Sequence, residues 1–335
     1  MIARPFSNLP ELVCPAGTPA GLRTAVDAGA HAVYCGFRDE TNARNFPGLN
    51  FDRAEMREGV AYAHERGVKV LIALNTFMRA GATDTWKRGV DDAVASRADA
   101  LILADAALVA YAREAYPKQR LHLSVQAAAA TPEAIAFYRD RFGVARVVLP
   151  RVLTVEEIAR LTATAAPCET EVFVFGGLCV MAEGRCMLSS YATGKSPNMT
   201  GVCSPPSHVT YREENGAMIA SVGGFTVERF ERGEPAGYPT LCKGRFQAGG
   251  GALHLFEDPV SLNAIDLLPR LADIGVAAFK IEGRQRGRAY VAAVVRAFRR
   301  AIDSMAAGGR VDVDELRALT EGQRETVGAY KKAWR

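Results

Sequence analysis

One pattern recurs along the chain: an amphipathic helical stretch closes on a small residue, and an apolar strand follows at once. Gly29 leads into Ala32-Val33-Tyr34-Cys35, Gly67 into Val68-Lys69-Val70-Leu71-Ile72, and Ala98 into Ala100-Leu101-Ile102-Leu103. Gly143 leads into Val147-Val148-Leu149, and Gly275 into Ala277-Ala278-Phe279-Lys280-Ile281. Continuous apolar strands separated by helices belong to a parallel sheet covered on its faces by helices. Adding Leu12-Val13-Cys14, Leu121 to Val125 and Glu171 to Phe175 brings the count to eight strands. Eight parallel strands alternating with helices fit a closed (β/α)8 TIM-type barrel better than an open sheet.

Helix starts agree with that count. Asp52 with Glu55 and Thr154 with Glu157 have capping-box spacing, in which each side chain satisfies a free amide of the first turn. Thr131 before Pro132 reads as an N-cap followed by proline at the first helical position. Val291, Val294, Val295, Phe298, Ile302 and Met305 repeat at helical spacing near the end.

The rhythm breaks once. Roughly 85 residues without the strand–helix alternation separate strand seven, ending near Gly176, from a helix expected to begin near Ser261. They hold two turn signals, Asn215-Gly216 and Gly249-Gly250-Gly251, each between short β-prone segments. The predicted organisation is a first barrel part over 1–176, a β-rich insertion over 177–260, and completion of the barrel with C-terminal helices over 261–335. An insertion after strand seven opens on the barrel face that carries active sites.

Composition narrows the class. The chain has 335 residues and a formal charge of +4, which leaves no electrostatic footprint for nucleic acid. No apolar run reaches the ~18–20 residues that span a bilayer, and the start lacks a signal peptide. A cytoplasmic protein that is not an integral membrane protein is expected. In a reducing compartment the seven cysteines are not structural disulfides. Cys14, Cys35 and Cys168 lie in or beside apolar strands and read as core. Cys179, Cys186, Cys203 and Cys242 all fall in the insertion, among glycines and loop formers, with spacing C-x6-C-x16-C-x38-C. Four thiolates can hold structural zinc or a cubane iron–sulfur cluster. The missing short C-x2–4-C pair leans toward the larger cluster, and zinc or no metal stay open at this point.

Polar residues recur where strands end: Arg38, Asn42, Arg44, Asn75, Gln126, Arg151 and Glu282. The stretch Glu282-Gly283-Arg284-Gln285-Arg286-Gly287-Arg288 follows strand eight and leads into the last helix, where arginines beside a helix start suit an anion. No H-E-x-x-H motif, nucleophile elbow or P-loop is present.

Several segments resemble the collagenase-like peptidase family. They are Glu11 to Gly17, Thr41 to Arg44 with Gly48 to Phe51, Phe175 to Cys179 with Glu183 to Cys186, and Lys280 to Arg284. Ser196-Pro197-Asn198, Ala236 to Arg245, and the ending with Glu321-Gly322, Gly328-Ala329-Tyr330 and Trp334 look most similar to the branch of that family acting in ubiquinone biosynthesis. The resemblance implies a [4Fe-4S] cluster on Cys179, Cys186, Cys203 and Cys242. It implies a heterodimer with a related, UbiV-like cluster subunit, a lipid-binding accessory protein, and oxygen-independent hydroxylation of the ring of a ubiquinone precursor with prephenate as hydroxyl donor. It makes Asn42, Arg44, Gln126 and Glu282 candidate catalytic residues. Because prephenate carries two carboxylates, Arg44, Arg284 and Arg151 are candidate substrate-binding residues. One departure is Asn45, where histidine is expected in close relatives. An RNA-hydroxylating member of the family, a peptidase and a scaffold with a structural metal are the rival readings. Against the first stands the expectation of no nucleic acid partner, since such relatives carry additional sequence beyond the barrel.

Overall fold

The computed structural model describes residues 9–45, 47–179, 186–195, 203–234, 236–307, 309, 316, 320 and 325–331. Phe46, 183–185, 196–198, 201–202, 321–322 and Trp334, which several of the sequence expectations touch, lie outside the described residues.

The barrel is built as the repeat predicts. Its first half runs β1 (Glu11–Pro15), α1 (Pro19–Asp27), β2 (Ala32–Cys35), α2 (Arg53–His64), β3 (Lys69–Leu74), α3 (Asp84–Ala95), β4 (Ala100–Leu103) and α4 (Ala106–Ala115). β5 (Leu121–Leu123), α5 (Pro132–Phe142), β6 (Arg146–Val148), α6 (Val155–Ala165) and β7 (Glu169–Gly177) follow. The three helix starts expected from the sequence are present: capping boxes at Asp52/Glu55 and Thr154/Glu157, and Thr131 capping a helix with Pro132 in its first turn.

After β7 the alternation stops. α7 (Met187–Thr193) precedes β8 (Val209–Glu214), β9 (Ala217–Val222) and β10 (Phe225–Phe230), which form an antiparallel sheet in the order β10-β9-β8. β11 (Arg245–Ala248) and β12 (Gly251–His254) form a hairpin. Both turn signals sit at hairpin tips. Asn215 and Gly216, at φ 53° and 81°, join β8 to β9, and Gly249 and Gly250 join β11 to β12. Arg245 ties the hairpin to the sheet by pairing with the buried Glu228 of β10.

The helix expected near Ser261 begins later. Ser261–Asn263 is instead strand β13, antiparallel to β7 through Ser261↔Gly177 and Asn263↔Phe175. β7 outruns its barrel partners by several residues, and β13 takes the exposed edge of that overhang; an unpaired edge there would leave buried amides without partners. Helix α8 (Leu268–Asp273) then leads to β14 (Ala278–Ile281), α9 (Arg288–Ala306) and the short β15 (Glu325–Thr326), which pairs with β13. β14 is parallel to both β1 and β7, and this closes eight parallel strands into a TIM-type barrel.

Two cores result from strands buried on both faces. The larger lies between strands and helices and includes Trp86, Phe37, Phe51, Phe175, Phe279 and Phe298. The smaller fills the barrel with Val13, Ala32, Tyr34, Leu71, Ala73, Ala100, Ile102 and Ala278. Below it the interior is charged. Arg146 meets Glu11 at 2.8 Å, Glu169 at 2.6 Å and Glu171 at 3.3 Å, and Glu171 also pairs with Lys280. Apolar patterning alone does not anticipate these charges. They are tolerated inside because each has an opposite partner with hydrogen-bonding geometry.

Candidate functional site: the carboxyl end of the barrel

The residues at the C-terminal ends of the strands enclose a cavity of about 60 Å³ lined by Tyr34, Arg44, Asn75, Ser124, Gln126, Arg151, Phe173, Lys280, Glu282 and Arg284, among others. Three arginines and one lysine face a single glutamate on this wall. Of the six catalytic and substrate-binding candidates, Arg44, Gln126, Arg151, Glu282 and Arg284 line the cavity.

Asn42 lies behind it. Its Oδ1 accepts from Nη2 of Arg284 at 2.8 Å and from the Arg44 amide at 3.1 Å, while its Nδ2 donates to the Phe37 carbonyl at 3.2 Å. Oδ1 of this buried amide therefore holds the Arg284 guanidinium and the Arg44 backbone, while Nδ2 anchors the side chain just beyond the end of β2. The backbone around it leaves no slack. A Cβ on Gly36 would stand 2.6 Å from the Asn42 amide, and one on Gly17 would stand 1.8 Å from the Arg284 carbonyl oxygen. Only glycine lets these strand ends pass so closely.

Arg284 is 5 % exposed, and its Nη1 is buried without a partner. Burial pushes its guanidinium down to about 10, against the opposing pull of the Tyr34 phenolic oxygen. A guanidinium held this way, with an amide rather than a carboxylate as its hydrogen-bond partner, is prepared for an anion from outside.

Glu282 is placed by β14 with its carboxylate accepting from the Gly177 amide at 3.1 Å. Burial opposes its ionisation, yet Arg44, Arg151 and the Gly177 amide outweigh that and hold it below the usual carboxylate range. Arg151 donates to the Gly177 carbonyl and stacks its guanidinium 4.4 Å from the Phe173 ring. Asn75 accepts from the Ala43 amide at 3.1 Å and reaches Ser124 at 3.4 Å, bracing the loop that carries Arg44.

Arg38 does not join the site. After the Phe37–Phe51 bridge the chain turns outward, and Arg38 pairs with Glu55 at 2.9 Å. Sequence reasoning misses Lys280 and Tyr34 as site residues, since both sit inside strands that read as core. Lys280 pairs with Glu171 and lies 4.0 Å from the Tyr34 ring centre, while the Tyr34 hydroxyl donates to the Ile281 carbonyl at 2.9 Å. The alternation of β2 and β14 is the signal that could find them: Tyr34 and Lys280 share the inward phase.

The three cysteines assigned to the core are buried, and burial pushes Cys35 up to about 12 and Cys168 up to about 11. The other four gather by the barrel mouth. Burial first, then the neighbouring Cys203 and Cys179, push Cys242 up to about 11. Cys203, exposed as a residue, has its thiol pushed up by burial and lies within electrostatic reach of Arg44, Cys186, Glu282 and Arg151. Cys186 caps α7, accepting from the Ser189 amide at 3.4 Å, and the Ser189 hydroxyl donates to the Cys203 carbonyl. Among the described residues, no three Cys, His, Asp or Glu close on one point as a single metal ion requires. No helix among them is long and apolar enough to cross a membrane.

An eight-stranded barrel with a buried arginine cluster at its carboxyl end, bordered by a cysteine-bearing excursion after β7, defines a TIM-barrel protein with a polar, arginine-rich mouth. The chain belongs to peptidase family U32, whose sequence pattern matches residues 17–330. It is similar to tRNA hydroxylation protein P of Escherichia coli, 33 % identical over 328 residues, which span 92 % of this chain and 71 % of that protein. It is also similar to the uncharacterized protease MJ0090 of Methanocaldococcus jannaschii, 32 % identical over 90 % of this chain and 67 % of the relative. A third relative is the collagenase of Porphyromonas gingivalis, 28 % identical over 89 % of this chain and 66 % of its own.

Proposed function

We propose that the chain is an oxygen-independent hydroxylase subunit, of the UbiU type, that acts on the ring of a ubiquinone precursor with prephenate as hydroxyl donor. The observation that carries this reading is the shared mouth: Arg44, Arg151 and Glu282, which line the cavity with the buried Arg284, also lie within electrostatic reach of the Cys203 thiol. Arginine takes a carboxylate through paired donors, so a dicarboxylate donor suits this wall. The relatives named as hydroxylation proteins support the reaction class.

Cys179, Cys186, Cys203 and Cys242 fit a [4Fe-4S] cluster as a donor set. Cys203 lies within electrostatic reach of Cys186, and Cys242 within reach of Cys203 and Cys179, so the four thiols share one neighbourhood in which a cluster could take them as thiolates. Such a cluster spreads its four thiolate ligands over several irons. When bound, it supplies one-electron chemistry. The chain's own groups bind and orient the donor at Arg284 and Arg44, keep Glu282 ionised, and place Gln126 against the ligand. A UbiV-like subunit and a lipid-binding accessory protein are the partners this reading expects, in a cytoplasmic setting.

A second reading, hydroxylation of tRNA, is favoured by the name and 33 % identity of the E. coli relative. Against it stands the formal charge of only +4. The deciding experiment is an anaerobic reconstitution with labelled prephenate, a ubiquinone precursor and tRNA as competing acceptors, with and without the UbiV-like subunit. Label in the quinone ring supports the first reading. Label in tRNA establishes the second, and peptide cleavage without either product overturns both.

A further inference from the structure

Five buried side-chain polar atoms among the described residues have no hydrogen-bond partner, and two of them, Arg284 Nη1 and Gln126 Oε1, belong to residues lining the same cavity. Buried polar groups are nearly always paired, because each unpaired one forfeits its hydration without return. Arg284 asks for an anionic acceptor. Gln126 asks for something else.

Gln126 is 4 % exposed and sits on a one-turn 3-10 helix, Val125–Ala127. Ser124 caps that turn by accepting from the Gln126 amide at 3.2 Å, and Ala128 ends it in the left-handed region at φ 52°. The backbone is thus fixed at both sides, and the side chain is held at the cavity wall without a protein partner for its carboxamide oxygen. A carboxamide offers both an acceptor and donors, and its complement is a group that both donates and accepts. The simplest such group on a carboxylate ligand is a hydroxyl, whose O–H can donate to the unpartnered Oε1. The free volume of about 60 Å³ has room for about four water-sized groups, enough for polar groups of a ligand to reach the wall.

We propose that Gln126 is a specificity-determining residue that reads a hydroxyl on the ligand whose carboxylate Arg284 takes. The inference rests on the donor reading above and sharpens it: the barrel mouth selects a hydroxylated carboxylate over the same carboxylate without the hydroxyl. A site with a buried polar group dedicated to one ligand hydroxyl rejects the analogue lacking it strongly, because the group is then left unpaired.

The test is calorimetric titration of the full, anaerobically prepared chain with prephenate and with the analogue in which the ring hydroxyl is replaced by hydrogen. The wild-type protein should prefer prephenate by tenfold or more. Gln126→Met, close in shape and without the amide, should bind the two ligands equally. Its ligand-free form should melt no lower than wild type, since an unpaired buried amide has been removed. Arg284→Met should weaken both ligands by the same factor and keep the preference. A preference that survives in Gln126→Met overturns the proposal. Equal affinity for the two ligands in the wild-type protein overturns it too, even without any variant, and leaves the donor reading standing. Failure of the wild-type protein to bind either ligand removes the donor reading and this proposal together.

Discussion

Arg284 reaches across the barrel mouth to Asn42, 242 positions away in sequence, and donates to its Oδ1 at 2.8 Å. The contact leaves Nη1 of Arg284 buried and unpartnered, so it orients a cation without neutralising it. A carboxylate in place of Asn42 would satisfy the guanidinium and abolish its pull on an incoming anion.

This coupling predicts a non-additive pair of substitutions. Arg284→Met should weaken prephenate binding by on the order of a hundredfold, and Asn42→Ala by about tenfold. The double variant should bind only slightly worse than Arg284→Met alone, because Asn42 acts chiefly through that arginine and otherwise only through its bond to the Arg44 backbone. Calorimetry on the four proteins checks this. Additive losses would mean that Asn42 has a role of its own in binding.

The cysteines should separate into two classes. Replacing any of Cys179, Cys186, Cys203 or Cys242 by alanine should strip or degrade an iron–sulfur cluster, whereas Cys35→Ala, at a site packed against Met56, should leave metal content unchanged. Iron and sulfide analysis of anaerobically purified protein reads the result. Wild-type protein holding stoichiometric zinc and no sulfide would refute the assignment.

Stability should fall on the acid side in two steps. Burial in the barrel base, with Arg146 and Arg120 close by, holds His122 well below its ordinary value of 6.5, so the folded protein keeps it neutral while the unfolded chain takes up a proton. Its contribution is complete above about pH 6.5 and is lost as pH falls, at up to about 1.4 kcal/mol per pH unit. Burial raises Glu11, but Lys69 and Arg146 outweigh this and lower it below 4.5, so its contribution is present above that value and lost as pH falls through the folded one. Thermal melts should show a first decline beginning near pH 6.5 and a steeper one in the carboxylate range. His122→Asn should shrink the first step without touching the second, leaving the share of His31, which burial and Arg299 also hold below its ordinary value.

Gly17→Ala should damage the fold and the site together. The new methyl would meet the Arg284 carbonyl, a backbone atom that cannot rotate away. A loss of about 3 kcal/mol is expected. Gly237→Ala, with open space around the added carbon, should stay within about 0.5 kcal/mol of wild type. Denaturant unfolding of both variants compares them directly.

Much of the fold is legible in local sequence. Strand period, capping boxes and glycine turns are short-range signals, and the capping boxes at Asp52 and Thr154 and the Asn215-Gly216 turn stand where the pattern puts them. The burial of Cys14, Cys35 and Cys168 is legible for the same reason, from their apolar neighbours. Ser261–Asn263 is not legible in this way, because its strand state depends on an edge left open by β7, far away in sequence.

The sequence by itself determined the eight-strand barrel and the gathering of four cysteines in one excursion after β7, since both follow from short-range pattern and from chain order. Only the tertiary structure decided which polar strand ends face the cavity. Arg38 and Arg284 both follow a strand, yet one pairs with Glu55 outside and the other is buried against Asn42. Likewise Glu171, Arg146 and Lys280 look out of place in apolar strands until closure of the barrel makes them neighbours. Side-chain direction and charge pairing depend on contacts between distant strands, and those contacts exist only once the sheet has closed on itself.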